Sequence, residues 1–600
     1  MSQKTARRPQ NMKQTLGFLM QYLWKSRWTL ALVVVLLILS TVAGIAGVYL
    51  IRPLINDFIA TKDVAGLGRM LFWLALIYVV GTMATYWSSY FMIHIGQKTI
   101  ETLRRDLFAH MQTLPVNYFD TNTHGDLMSR FTNDFESIQN MFNNSFSAIL
   151  TSTLQIILTF TMMLLLSPWL TLLVVFMVGF MAFLVKKLGG KSAVFFGAQQ
   201  KNMGLLNGFV EEHIEGQKVV KVFSHEKRVM NEFETLNEEL RVAANRAQFY
   251  AMMLFPVLGN ISYINYALTA TLGGLLVING YMDVGALASF LQYSRTFTQP
   301  LAQMSQQVNV MLAALAGAER IFAIIQTPSE VDEGTVTLEK LSNREWFWVK
   351  GQERIPVVGN IQLEGVHFGY QPDVPILKDI HVWAKPGLKV AFVGATGAGK
   401  TTITNLINRF YEIDSGTITF DGISVADIKK ADLRQTISVV LQDTHLFTGT
   451  IADNIRYGRL DASDDEVVNA AKLANAHSFI KRLPQGYQTE ITGDGEGLSQ
   501  GQRQLLAIAR ATVANPRVLI LDEATSSIDS HTETLISKGM DQLMYGRTSF
   551  VIAHRLSTIR NADVIMVMEK GQIIERGDHQ TLMEKRGTYY KLYTGQIELD

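Results

Sequence analysis

The sequence predicts an α-helical membrane domain of six spans with long polar helical extensions, joined to an α/β domain whose mainly parallel sheet carries a phosphate-binding loop. Three observations lead there. Uncharged runs long enough to cross a bilayer are confined to residues 1–320. Beyond residue 359 the pattern changes to short β-rich runs alternating with helical ones. A glycine-rich loop directly follows one of those runs.

Composition bounds the rest. At 600 residues the chain is too long for one ordinary core. A mean hydropathy of +0.14 with 18% charged residues is too apolar for a soluble chain of this size and too polar for one wholly in lipid. The net charge of +1 supplies no basic stripe to match a phosphate backbone, so no nucleic-acid partner is expected. With no cysteine, disulfides, thiolate metal sites and a cysteine nucleophile are excluded by chemistry.

The first apolar run, 28–51, spans a hydrocarbon core of ~30 Å at about 1.5 Å per helical residue and is too long for a signal-peptide core. The stretch before it, 12–25, is amphipathic and bears Trp, Tyr and Lys, which suits a helix lying on the membrane surface. Span two is 71–97. The segment 141–185 has no charged residue and makes spans three and four, separated by a Ser167-Pro168-Trp169 turn. Spans five and six fall in 250–278 and 285–315, the latter interrupted by Arg295 and several glutamines. Lys4, Arg7, Arg8, Lys13, Lys25 and Arg27 precede span one, whereas the turns at Pro168 and Tyr281 to Asp283 have no basic residue. The N-terminus and the second domain are therefore expected on the cytoplasmic side, with the helical extensions 98–135 and 187–246. The expected division is a transmembrane domain over 1–320, a linker over 321–360 and a nucleotide-binding domain over 361–600.

The chemistry begins at Gly394-Ala395-Thr396-Gly397-Ala398-Gly399-Lys400-Thr401, after the apolar run Val390 to Val393 and opening a helical pattern through Ile403, Leu406 and Ile407, with Thr396 and Thr402 also candidate nucleotide-binding residues. Strand, glycine loop and helix together make a P-loop. Gly394, Gly397 and Gly399 let backbone N–H groups close on phosphate oxygens, Lys400 reaches the β/γ-phosphates and Thr401 can hold Mg²⁺. Downstream, Val518 to Leu521 reads as a buried strand that delivers Asp522 and Glu523 beside that loop. Asp522 suits a Mg²⁺ ligand, and Glu523 a general base that polarises the attacking water. ATP and Mg²⁺ are the expected cofactors.

Between these motifs lies Leu498-Ser499-Gln500-Gly501-Gln502-Arg503-Gln504, which resembles the signature sequence of ABC ATPases. The resemblance implies roles for further residues in order: Tyr370 as the aromatic that stacks on adenine, Gln442 as the Q-loop glutamine and metal contact, Asp529 as the D-loop aspartate and His554 as the switch histidine. Upstream, the stretches 103–108, 118–120, 125–130 and 216–223 are similar to the two intracellular segments of bacterial multidrug and lipid ABC exporters. The resemblance implies a half-transporter of type IV exporter architecture, one membrane domain and one ATPase domain per chain. It also implies composite ATP sites, in which Ser499, Gln500, Gly501 and Gln502 face the partner's nucleotide. Short turns near 121–125 and 215–218 would serve as coupling helices.

One departure stands out: Gln500 occupies the place of the family's first signature glycine, where bulk could weaken the facing site. Such signatures are familiar in heterodimeric exporters, so a related second subunit is expected, with a homodimer as the alternative. Asn260 and Asn265 on span five and Gln292, Arg295 and Gln299 on span six are candidates for a substrate cavity, or for ties between helices. The expected activity is ATP-driven export of hydrophobic or amphipathic drugs or lipids across a bacterial plasma membrane. An ATP-regulated gate without net export is the alternative.

Overall fold

The computed structural model describes residues 11–341, 345–441, 444–523, 529–553 and 559–596. It forms two compact units, residues 1–114 with 122–327 and residues 115–121 with 328–600.

The first unit is helical throughout. Among the described residues, six helices are long and apolar enough to cross a bilayer: Arg27–Ile59, Val64–Met111, His124–Leu166, Pro168–Glu215, Glu226–Ile278 and Val284–Ile325. Several starts are fixed by a side-chain oxygen that satisfies an otherwise orphaned backbone N–H. Asp63 accepts from Gly66 N at 2.9 Å, Asp283 from Ala286 N at 2.6 Å, and Ser167 from Leu170 N at 3.5 Å, with Pro168 at the first helical position. The Ser-Pro-Trp turn is thus where spans three and four part. The preceding helix, Met12–Trp24, buries Thr15, Leu19 and Leu23 at four-residue spacing, and Phe18 stacks on Phe322 with centroids 4.9 Å apart.

Deeper ties are polar. Asp134 is 3% exposed and accepts from Arg320 Nε at 3.0 Å and from Arg130 Nη1 at 3.4 Å, so its charge is paired on both sides. Gly317 lies against it, where a Cβ would approach the Asp134 backbone at 3.3 Å. At the other end of span six, Arg52 donates to Asp283 Oδ2 through Nε at 3.0 Å and Nη2 at 2.6 Å.

The second unit is built on a six-stranded sheet, in the order Gln572–Gly577, Val564–Glu569, Lys389–Val393, Thr548–Ala553, Val518–Glu523 and Ile437–Val440. All neighbours are parallel except the first pair. The inner strands are apolar on both faces, as a sheet covered on both sides requires. A four-stranded antiparallel sheet, Leu377–Ala384, Ile361–Phe368, Ser415–Phe420 and Ile423–Ser424, completes the core.

The stretch read from sequence as linker carries structure of its own. Thr337–Lys340, Trp346–Lys350 and Glu353–Pro356 form a three-stranded antiparallel sheet. It is pinned by Trp348, fully buried, whose Nε1 donates to Asp421 Oδ2 at 3.2 Å. Residues 115–121, with the short helix Val116–Thr121, also belong to this unit.

Candidate active site

Strand Lys389–Val393 ends at the glycine loop, and the loop's conformation explains its glycines. Gly394, Gly397 and Gly399 have φ of 153°, 81° and 99°, which side-chain-bearing residues rarely adopt. At Gly394 a Cβ would also lie 2.2 Å from the Met568 carbonyl oxygen, and at Gly399 2.6 Å from Leu377 Cδ2. Helix Lys400–Ile407 follows, with Thr402 buried and Thr401 and Thr396 exposed. Lys400 is 6% exposed and its Nζ donates to the carbonyls of Gly394 at 2.6 Å and Ala395 at 3.0 Å. Burial pushes its ammonium below the usual lysine range, opposed by the nearby charge of Asp522.

Asp522 owes that proximity to register. It pairs with Ile552, which pairs with Phe392 one strand further on, so Asp522 and the P-loop strand end at the same level two strands apart. Two strand spacings are about 10 Å, a gap suited to a metal ion and phosphate oxygens. Glu523 is the last residue of that strand, beside Ala553. Its side chain lies outside the described residues, as do Gln442 and His554.

Tyr370 is 45% exposed, with its ring edge-on to Phe368 at 5.0 Å and its hydroxyl 3.4 Å from Thr402 Oγ1. Edge-on contacts with Phe368 and Tyr411 and the contact with Thr402 hold the ring while much of the residue stays exposed, which suits stacking on a planar base.

The signature residues begin helix Gln500–Ala514. Ser499 Oγ accepts from Gln502 N at 3.2 Å, and Gln502 Oε1 accepts from Ser499 N at 2.9 Å. Gln500 sits at the first helical position in right-handed conformation, so the backbone there does not demand glycine; any effect of Gln500 comes from its side chain. Gly501 is buried against the fold. Asp529 Oδ1 accepts from His531 N at 3.1 Å and Thr532 N at 2.9 Å, capping helix Ser530–Met544. The bonds to Thr532 hold its carboxyl below the usual range.

The candidate cavity residues divide. Gln292, Arg295 and Gln299 are exposed at helical positions i, i+3 and i+7 of span six, hence on one face, and Asn260 is exposed on span five. Asn265 is 2% exposed and its Nδ2 donates to Ser294 Oγ at 3.0 Å. Within this chain Asn265 ties spans five and six together, which fits the second of the two roles its polarity allows.

Two features had no sequence signal. A cavity of about 1300 Å³ is lined among others by Lys340, Trp346, Phe447, Tyr457 and Arg510, and among the described residues by none of those expected to bind nucleotide. Tyr411, just past the P-loop helix, packs edge-on to Tyr370 with centroids 4.9 Å apart.

The chain matches the family model of the ABC transporter transmembrane region over residues 30–301 and that of the ABC transporter over residues 377–526. It is 42% identical to the uncharacterised ABC transporter ATP-binding protein YfiC of Bacillus subtilis, over 98% of this chain and 95% of that one. It is 40% identical to the fatty acid ABC transporter ATP-binding/permease protein of Mycobacterium tuberculosis, over 88% of this chain and 82% of that one. With the ATP-dependent lipid A-core flippase of Syntrophus aciditrophicus the identity is 34%, over 96% of this chain and 93% of that one. The chain belongs to the ABC transporter family, as a membrane-spanning exporter domain fused to an ATPase domain that binds ATP and couples its hydrolysis to transport.

Proposed function

We propose that this chain is a half-transporter that exports hydrophobic or amphipathic compounds, lipids or drugs, from the cytoplasmic side of a bacterial plasma membrane. The observation that carries the reading is the register that sets Asp522 level with the end of the P-loop strand, close enough for its charge to act on Lys400, in one chain with six apolar spans among the described residues. The fatty acid transporter and lipid A-core flippase among its relatives favour substrates with acyl chains.

Thr396, Gly397 and Thr401 are exposed on the P-loop face, which suits a site that a second chain completes. A second chain presenting the N-terminus of its signature helix completes the site, the helix dipole and capped N–H groups favouring the γ-phosphate charge. ATP then joins two ATPase domains and hydrolysis lets them part. The partner is a related subunit in this reading, because Gln500 puts a bulky amide where it faces the partner's nucleotide. A homodimer is the competing outcome.

Mg²⁺ fits the donor set. The exposed Thr401 hydroxyl and the Asp522 carboxylate are hard oxygen donors, and among the described residues no group of three carboxylates or histidines forms a closed cage. A Mg²⁺ ion held by Thr401, Asp522 and Gln442 would neutralise charge on the phosphates when bound. Lys400 would hold the β/γ-phosphates and Glu523 would take the proton of the attacking water, with His554 as the switch histidine that the resemblance implies.

On span six the exposed face of Gln292, Arg295 and Gln299 is the polar wall of the translocation path. The test is ATPase activity and ATP-dependent movement of a fluorescent fatty acid in sealed vesicles, for the wild type and Glu523→Gln, with any co-purifying subunit identified. Directional movement lost with Glu523→Gln supports the reading. ATP-dependent passive leak would replace it with a gate, and full turnover by this chain alone would overturn the heterodimer.

A further inference from the structure

Residues 115–121 belong to the same compact unit as the ATPase domain. There the Tyr411 hydroxyl donates a hydrogen bond to Asp120 Oδ2, at the end of helix Val116–Thr121. The same Tyr411 ring lies edge-on to Tyr370, with centroids 4.9 Å apart and planes at 85°, and to Phe368 at 5.7 Å. One side chain therefore touches both the base-stacking aromatic and the short helix.

Its position is fixed by neighbours on either side. Arg409, two residues earlier, ends the P-loop helix in a left-handed conformation, φ 52°. Its guanidinium is 5% exposed and donates to the carbonyls of Val425 at 3.1 Å and Ile428 at 2.9 Å, and to Glu412 Oε1 at 3.0 Å. Glu412 is further tied to Lys430 Nζ at 3.0 Å. With the residues on both sides anchored, the Tyr411 ring has little freedom to follow anything but its contacts. Burial, and next the bond to Asp120, push its phenol above the usual range, so it remains a donor at neutral pH.

We propose that Tyr411 is a positioning residue that reports occupancy of the base side of the ATP site to residues 115–121, through ring contact with Tyr370 and its hydroxyl bond to Asp120. A base stacked on Tyr370 fixes the ring edge against which Tyr411 packs. The charge-assisted bond to Asp120 passes that constraint to the short helix that follows Val64–Met111 in the chain after a turn. The inference rests on the reading that Tyr370 stacks on adenine and that the spans move with ATP.

The chain has no cysteine, so Thr61→Cys and Tyr281→Cys, both at exposed turns, place two spin labels without background. The distance between the labels is measured in the purified full transporter against the concentration of ATP with vanadate. Tyr411→Phe and Asp120→Asn are compared with the unmodified pair, alongside affinity for a fluorescent ATP analogue. Tyr411→Phe keeps the ring and Asp120→Asn keeps the shape, so ATP affinity is expected within about twofold of wild type. Each variant is expected to lose roughly half or more of the label shift at saturating ATP, with little change in its midpoint, and the double variant no more than either alone. A wild-type response in both single variants, or losses that add in the double variant, overturns the relay while leaving the exporter reading intact. Labels that do not move in the wild type overturn the coupling reading, and the relay with it.

Discussion

Ser499 and Gln502 satisfy each other's backbone: the hydroxyl of one accepts from the N–H of the other at 3.2 Å, and the amide oxygen returns the contact at 2.9 Å. This capping box fixes where the signature helix begins, and hence which N–H groups remain free to meet a phosphate. Ser499→Ala should lower stability by about 1 kcal/mol and also reduce ATP turnover, while Ser499→Thr should recover most of both. Thermal unfolding together with ATPase rates checks this; a loss of stability with unchanged turnover would separate the cap from the chemistry.

Gln500 begins that helix in ordinary right-handed geometry, so removing its side chain changes bulk and leaves the local fold in place. Gln500→Gly is expected to raise ATP turnover of the complete transporter at least twofold, at a cost in stability of no more than about 1 kcal/mol. Equal rates would show that the side chain does not obstruct the facing site.

Glu330 receives Arg434 through two nitrogens, at 3.0 and 2.6 Å, and Lys430 at 3.3 Å. Burial raises its carboxyl, but these cations more than offset it and hold it below its ordinary value of 4.5. A depressed folded value means that stability from this group is fully present above the unfolded value and is lost as pH falls through the folded one. Glu330→Gln should therefore cost about 1–2 kcal/mol at pH 7, and the difference from wild type should shrink progressively below about pH 4.5. Unfolding curves across pH 3 to 8 read the effect. A difference that grows on acidification would sink the assignment.

Asp283 does two things at once, capping span six through Ala286 N at 2.6 Å and pairing with Arg52. The ion pair is more than a third exposed on each side on average, so its net worth is about 1 kcal/mol or less. Asp283→Asn, which keeps a capping oxygen, should lower the melting temperature less than Asp283→Ala, which loses both. Equal losses would mean that the pair outweighs the cap.

The P-loop was legible because its chemistry is local: three glycines with positive φ and a lysine must lie within a few residues of each other to close on phosphate. The Ser167-Pro168-Trp169 turn was legible for the same reason, since a cap and an N1 proline act on their own helix. Asn265 stayed ambiguous in the sequence because polarity within a span marks only that a partner is needed; whether the partner is a substrate or Ser294 depends on how two helices pack. The three-stranded sheet around Trp348 was missed because the composition of its hairpins looked like a polar linker, and Asp421, which anchors it, lies 73 residues away in the chain.

By itself the sequence determined the class of protein, the number of spans and the phosphate-binding apparatus, all of which depend on hydrophobic run length and on spacings within single elements. Tertiary structure alone decided that Asp522 stands level with the P-loop strand, that Glu330 fastens to Arg434 and that Tyr411 stands between Tyr370 and Asp120. Those relationships join residues tens to hundreds of positions apart. Strand register and packing bring such residues together, and no local periodicity encodes which distant partner a side chain will meet.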